Sequence, residues 1–258
     1  MKARVVSFAR GARWLAEGWG LFRVAPLVWL GLVFLYWLLM TTLSLLPLVG
    51  IGAATVLIPA FSVGFMVASR SCEGSRAPEL AQLFAGFRGG AWAQLKLGGV
   101  YLAALALLLG ATTLADDGAL ARWMLTGERP DEEALRSDAF LAALLVAAGG
   151  YMPVMMMFWF APVLAAWHGL GAAQALFFSF FASLMNWRAF FGYAAAAAVL
   201  TIGIPFLVLG ALLLATGGKL RLGVMALVFP LLIVLLPILF ASFYASYRDV
   251  FGTVEQNA

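Results

Sequence analysis

Charged residues are scarce in this sequence. Asp, Glu, Lys and Arg make up 11% of its 258 residues, whereas soluble domains carry about 25%. Because 64% of the residues are hydrophobic, the composition argues against a water-soluble fold. The single cysteine, Cys72, excludes an intrachain disulfide. The single histidine, His168, is too few for the clustered ligands of an intramembrane metalloprotease.

Ionisable side chains are also missing from the interior of the long apolar segments. Such residues at membrane depth usually mark proton relays, ion pathways or active sites. The sequence also lacks a Walker loop, a dinucleotide fingerprint and a cysteine cluster. We therefore expect a protein that is not an enzyme and that needs no cofactor or metal.

Uncharged segments long enough to cross a bilayer fill most of the chain. A turn at Pro47–Gly50 divides the longest of them, and only Lys219 and Arg221 separate the last two. The sequence therefore predicts an all-α, polytopic transmembrane bundle forming a single integral membrane domain over residues 1–258. The six expected spans are 24–46, 48–69, 97–115, 139–167, 189–218 and 222–247.

Basic residues near the span ends predict the orientation of the bundle. With six spans, eleven of the 16 Lys and Arg residues fall on the side that holds both termini. The positive-inside rule then predicts that both termini are cytoplasmic. The sequence pI near 9.5 accordingly indicates attraction to anionic lipid rather than to nucleic acid.

Each predicted pair of spans follows a short segment with an amphipathic pattern, which we name a lead-in segment. The three segments cover residues 7–23, 78–88 and 171–188. Aromatic residues opposite arginines suit helices lying in the headgroup plane. Gly86 and Gly90 form a GxxxG pattern at the end of the second segment, and because a loop is predicted there the pattern carries little weight.

The lead-in segments suggest three parallel repeats, covering 5–70, 78–168 and 169–248. "PAFSVGFMVASR" (59–70) and "PILFASFYASYR" (237–248) both place Phe six residues and Arg eleven residues after Pro. The middle counterpart from Pro162 departs from this pattern. Chance similarity among apolar segments is the alternative.

The triplet Asn186-Trp187-Arg188 lies where the third lead-in segment meets the next span. Trp belongs at headgroup depth, Arg can extend to phosphates, and Asn can satisfy backbone groups at a bend. His168 is a candidate pH sensor or headgroup ligand, with an ordinary interfacial residue beside Trp167 as the favoured alternative. The candidate lipid-headgroup or interface anchors are Arg10, Arg13, Trp14, Trp19, Arg23, Arg88, Lys96, His168, Asn186, Trp187 and Arg188.

Several stretches of the chain resemble a family of uncharacterised multi-span inner-membrane proteins of Gram-negative bacteria. They are "ARWLAEGWGLFRVAPLVWL", "PLVG", "LIPAFSVGF", "LFAGFR" and "SFFASLMNWRAFFGY". The resemblance implies a six-span bacterial membrane protein and supplies no functional residues. A looser likeness links the chain to the membrane region attached to some glycerophosphodiester phosphodiesterases, whose catalytic domain is absent from this sequence.

Two functions fit these features. The first is a non-catalytic membrane protein that binds or organises lipids, those with anionic headgroups in particular, or binds a membrane-protein partner or a second copy of itself. The alternative is an uncoupled permease or channel for an apolar, amphipathic or neutral substrate. Proline-broken spans such as those at Pro153 and Pro162 motivate the alternative.

Overall fold

The structure, a computed structural model, describes residues 3–47, 49–88, 90–215, 217 and 221–252. Within these residues the chain is helical and contains no β-strand. A 3₁₀ turn covers Leu80–Phe84 and a π turn covers Val199–Gly203. The α-helices are α1 (Phe8–Phe22), α2 (Pro26–Ser44), α3 (Gly50–Glu73), α4 (Ala85–Arg88), α5 (Ala91–Asp116), α6 (Ala119–Thr126), α7 (Glu132–Leu135), α8 (Asp138–Phe158), α9 (Ala161–His168), α10 (Ala172–Met185), α11 (Trp187–Ala198), α12 (Ile204–Ala215) and α13 (Arg221–Phe251).

Six helical segments of the described chain are long and apolar enough to cross a membrane, which confirms the predicted number. Their ends differ from the prediction: the third begins at Ala91 rather than 97, and the sixth continues to Phe251 rather than 247. The predicted turn at Lys219 lies outside the described residues. The segments are Pro26–Ser44, Gly50–Glu73, Ala91–Asp116, Asp138–His168, Trp187–Ala211 and Ile233–Phe251.

Local sequence signals explain where these helices begin. Pro26 starts α2, where its missing N–H costs nothing. The Ser137 hydroxyl accepts a hydrogen bond from Phe140 N, 3.1 Å away, and so caps α8. The turn between α2 and α3 needs glycine at position 50, because a Cβ there would lie 2.4 Å from the Leu43 carbonyl oxygen.

Two of the six spans form the centre of the bundle. About half of the residues in α3 (50%) and in the last span (56%) are buried, against 6–17% in the other four. The two central spans meet through Phe65 and Phe240, whose rings stack with centroids 4.1 Å apart. Helix α9 also packs against α3. Apolar side chains fill this core, including the buried Phe61, Leu164 and Leu235.

The fourth span is broken between α8 and α9, and α10 repairs the break. Pro162 cannot donate a backbone hydrogen bond, so the helix opens at Trp159 and Phe160. Phe160 N–H donates to the Ser179 hydroxyl at 2.9 Å, and that hydroxyl donates to the Met156 carbonyl at 2.8 Å. The serine of α10 therefore bridges the Phe160 N–H and the Met156 carbonyl, which an unbroken helix would join directly.

The lead-in segments are less uniform than their sequences suggest. Residues 78–88 form the 3₁₀ turn and the four-residue α4 rather than one amphipathic helix starting at Pro78. The expectation that the Gly86/Gly90 pattern matters little is wrong for Gly86. A Cβ there would lie 2.2 Å from the Ala60 carbonyl oxygen, so this glycine lets the segment pack directly on α3.

The lead-in segments share one packing rule. Each packs mainly against spans of a different predicted repeat: α1 against α11 and α13, the segment 80–88 against α2 and α3, and α10 against α5, α8 and α9. Three related units arranged in a ring would produce such an order. The repeats themselves stay a prediction.

Candidate functional site

Both ends of the described chain lie at the same end of the bundle. Arg4 N–H donates to the Val250 carbonyl at 2.8 Å, so the N-terminal segment runs beside the last turn of α13. This arrangement agrees with an even number of spans. The end of the bundle that contains these residues, together with α1 and the first turns of α5 and α11, is called the terminal end below.

Five charged side chains of the terminal end form a continuous chain of ion pairs. Arg10 of α1 binds Glu17, which lies two turns further along the same helix, with 2.7 Å between Nη1 and Oε1. Glu17 also accepts from Arg248 of α13, and Arg248 binds Glu73 of α3 at 2.6 Å. The ion pairs therefore connect α1 with the two central spans.

The chain of ion pairs ends at Asp249, which holds two groups of α1. Arg10 binds this carboxylate through two nitrogens, with Nε–Oδ2 at 2.5 Å and Nη2–Oδ1 at 2.7 Å. The Trp14 indole N–H donates to Oδ2 at 2.8 Å. The hydrogen bonds to Asp249 raise the pKa of Arg10 above its ordinary value, so this guanidinium stays charged. A bidentate pair of this kind fixes orientation as well as adding energy.

Two of the anchors expected from the sequence lie inside the protein rather than at its surface. The Trp14 side chain is fully buried and packs edge-on against Phe190, with ring centroids 5.4 Å apart. Asn186 is 1% exposed. The placement of these residues at the lipid surface is therefore corrected: Trp14 lies between α1 and α11 because glycines at positions 11 and 192 bring those helices into backbone contact.

Asn186 hydrogen-bonds three backbone groups at the bend between α10 and α11. Its Oδ1 accepts from Val6 N at 2.8 Å, and its Nδ2 donates to the carbonyls of Arg4 at 3.0 Å and Ala182 at 2.9 Å. The prediction that this amide satisfies backbone groups at the bend is confirmed for the Ala182 carbonyl, whereas the other two groups belong to the N-terminal segment. No local pattern in the sequence indicates that the N-terminal segment is its main partner.

Arg10 also differs from the other predicted basic anchors, because it forms ion pairs with carboxylates of the protein. The remaining basic anchors are exposed, and among the described residues none of them pairs with a carboxylate. They are Arg13, Arg23, Arg88, Lys96 and Arg188.

Exposed tryptophans accompany these cations. The Lys96 ammonium lies 5.5 Å from the centre of the Trp92 ring, and the Arg188 guanidinium lies 5.5 Å from that of Trp187. Trp19 is also exposed. Exposed Trp beside Lys or Arg is typical of headgroup depth.

His168 lies at the end of α9, half-buried against α13. Its Nε2 lies 2.7 Å from the Tyr247 hydroxyl, and Trp167 packs on the same tyrosine. This contact matches an interfacial packing residue. Across the part of the chain that the structure describes, no three His, Cys, Asp or Glu side chains come together as metal ligands.

Sequence reasoning missed Asp249 and Glu73, which complete the ion pairs. Each lies in the last turn of a central span, beside or near an arginine that was counted only for orientation. The available signal was that both acids interrupt a predominantly basic side of the membrane. The pairing itself depends on how α1 crosses α13, which the sequence does not encode in any local pattern.

Comparison with known proteins agrees with the architecture. A probable inner membrane protein of Burkholderia thailandensis is 39% identical over 259 aligned residues, which cover 98% of this chain and 95% of the relative. The chain belongs to this family of inner-membrane proteins. No protein-family model and no solved structure matches it. The family relationship shows a multi-pass protein of the inner membrane and names no ligand or partner.

Proposed function

We propose that the protein is a non-catalytic component of the inner membrane that binds anionic lipids at its terminal end. The observation that carries the proposal is the set of exposed basic side chains that no carboxylate of the described chain neutralises. Each Lys or Arg near an anionic membrane surface contributes about 1 kcal/mol of attraction. The ion pairs of Arg10 and Arg248 hold α1 in place, so that its remaining basic residue, Arg13, faces outward.

The location of this end supports the proposal. The positive-inside rule favours a cytoplasmic position for it, and the cytoplasmic leaflet carries the negative lipids. Exposed aromatic residues on α10, including Phe177 and Phe181, give this end an apolar surface for the acyl chains. The filled apolar contact between Phe65 and Phe240 at the centre favours lipid binding over passage of a solute through the bundle.

Lipid retention during purification tests the proposal. The triple variant Arg13→Gln, Arg23→Gln, Arg188→Gln removes three exposed charges and spares the ion pairs. We expect it to retain several-fold less phosphatidylglycerol than the unaltered protein, measured by mass spectrometry of lipid extracts. Retention of phosphatidylcholine is the reference for non-electrostatic binding.

A matched control lies at the opposite end of the bundle. Arg122, Arg129 and Arg136 are also exposed, and changing all three to Gln removes the same charge. Arg129 and Arg136 form only exposed pairs with Glu132. We expect phosphatidylglycerol retention to stay unchanged in this control. The proposal is wrong if the first triple variant retains as much phosphatidylglycerol as the unaltered protein, or if both triple variants lose it equally.

A further inference from the structure

A groove opens between the first turns of α5 and the start of α10. Its volume is about 680 Å³, within the range of about 300–1,000 Å³ that is usual for ligand sites. Lys96 is its one charged lining residue. The residues lining it are Lys96, Gly99, Val100 and Ala103 of α5 and Gly171, Ala172, Ala173, Gln174 and Leu176 at the start of α10.

The groove runs from headgroup depth into the hydrocarbon region. Lys96 lies against the exposed Trp92, a combination that marks the membrane interface. From Lys96 the lining residues of α5 continue to Ala103, seven residues along the helix or about 10 Å. All of them beyond Lys96 are apolar or glycine. The groove therefore has a polar mouth and an apolar floor.

The mouth is electrostatically suited to an anion. No carboxylate lines the groove, and no described carboxylate pairs with Lys96. The facing wall is the first turn of α10, whose N-cap Gly171 supplies no side-chain hydrogen bond to the free N–H groups. These N–H groups and the Gln174 amide add donors to the charge of Lys96.

The floor stays open because α5 has a glycine that helix packing does not require. At Gly98 a Cβ would lie 1.9 Å from the Val56 carbonyl oxygen, so this glycine is needed for contact with α3. At the neighbouring Gly99, which lines the groove, a Cβ would meet no heavy atom within 4 Å. The same holds for Gly171 on the opposite wall. Ordinary side chains at these two positions would fill the groove without a clash.

We propose that this groove binds one phospholipid with an anionic headgroup, with its phosphate at Lys96 and the start of α10 and an acyl chain along Gly99, Val100 and Ala103. Charge complementarity at the mouth selects the anionic headgroup. The unfilled apolar floor accepts the chain. The inference rests on the lipid-binding function proposed above and assigns to it one specific, saturable site.

Native mass spectrometry of the purified protein with added phosphatidylglycerol tests this site. We expect one phosphatidylglycerol molecule to remain bound under activation that removes the others. Gly99→Leu should abolish this single adduct by filling the floor, and Lys96→Gln should weaken its apparent affinity about fivefold. Circular dichroism and size-exclusion chromatography check that both variants fold.

Two matched controls distinguish the groove from the general surface. Gly110→Leu places the same side chain on α5 where a Cβ also meets open space, away from the groove. Arg122→Gln removes an exposed cation at the opposite end of the bundle that, like Lys96, pairs with no described carboxylate. The tightly held adduct should persist in both controls.

The possible outcomes separate this proposal from the function on which it rests. An adduct that survives Gly99→Leu, or that phosphatidylcholine replaces equally well, overturns the groove while leaving general lipid binding intact. Failure of the unaltered protein to bind phosphatidylglycerol overturns both proposals.

Discussion

Helices α1 and α10 both precede a pair of transmembrane segments, and each has polar residues along one side. In α1 the charged groups of Arg10 and Glu17 form ion pairs with α13, while Arg13 is exposed. In α10 the polar Ser179 is fully buried, and the apolar Phe181 is 44% exposed. The two helices therefore present opposite kinds of residue to their surroundings.

Their neighbours account for this difference. Helix α1 crosses the ends of α3 and α13, where Glu73, Arg248 and Asp249 supply partners for charged groups. Helix α10 crosses the break between α8 and α9, where free backbone groups need neutral hydrogen-bond partners. In a membrane protein, a polar stripe on a helix therefore marks the side where neighbouring helices supply ion-pair or hydrogen-bond partners. This side does not always face water.

The largest effect should come from the backbone contact that holds α1. At Gly11 a Cβ would lie 1.8 Å from the Ala189 carbonyl oxygen, so Gly11→Ala must separate α1 from α11. We expect a loss of about 3 kcal/mol in the free energy of unfolding, the upper part of the usual range for overpacking. Unfolding in SDS, followed by circular dichroism, measures this loss.

Gly20→Ala is the control on the same helix, because a Cβ there meets nothing within 4 Å. We expect it to stabilise the protein by about 0.5–1 kcal/mol through helix propensity alone. If Gly11→Ala were as stable as Gly20→Ala, α1 would not be in close contact with α11. The comparison between a docked α1 and a lipid-facing α10 would then fail.

The ion pairs of α1 should contribute less than its backbone contact. Asp249→Asn removes the charge that binds Arg10 and weakens the acceptor of the Trp14 indole N–H. Losing one partner of a fully buried pair costs about 3–5 kcal/mol. Because Arg10 is about one-third exposed, solvent reduces the effect, and we expect about 2 kcal/mol.

Hydrogen exchange should show where the Asp249→Asn protein loosens. We expect faster exchange in α1, with α5 and α8 unchanged. Arg129→Gln is the control, since its pair with Glu132 is exposed on both sides, and such pairs contribute less than about 1 kcal/mol. Equal effects of the two substitutions would mean that the ion pairs at the terminal end do not hold α1.

Composition and apolar runs were sufficient to predict the bundle and its six spans. A bilayer imposes a minimum length of apolar helix, so each span leaves a signal in its own residues. Helix breaks were harder to predict: the fourth span opens before Pro162, as expected, but α8 continues through Pro153 without a break. The sequence therefore predicted the number of spans and only one of these two breaks.

Features that depend on two segments could not be predicted. Glycines 98 and 99 are adjacent and identical in sequence, yet only the first touches another helix. Trp14 and Trp19 both suit the interface, and only the crossing angle of α1 buries Trp14 while leaving Trp19 exposed. The groove at Lys96 is a product of the same kind of pairing, between α5 and α10.

The smallest effect should appear on the α10 side of the comparison. Ser179→Ala leaves Phe160 N–H and the Met156 carbonyl without their short hydrogen bonds. Interhelical hydrogen bonds in membrane proteins average about 0.6 kcal/mol, and an unsatisfied buried group costs about 1–3 kcal/mol. We expect a loss of about 1 kcal/mol, measured by the same SDS unfolding assay. Ser183→Ala should cost less. The Ser183 hydroxyl lies 3.3 Å from the Met156 carbonyl, and Ser179 already donates to that carbonyl at 2.8 Å. A loss larger for Ser183→Ala than for Ser179→Ala would show that α10 does not repair the broken span, and that its buried polar side has another partner.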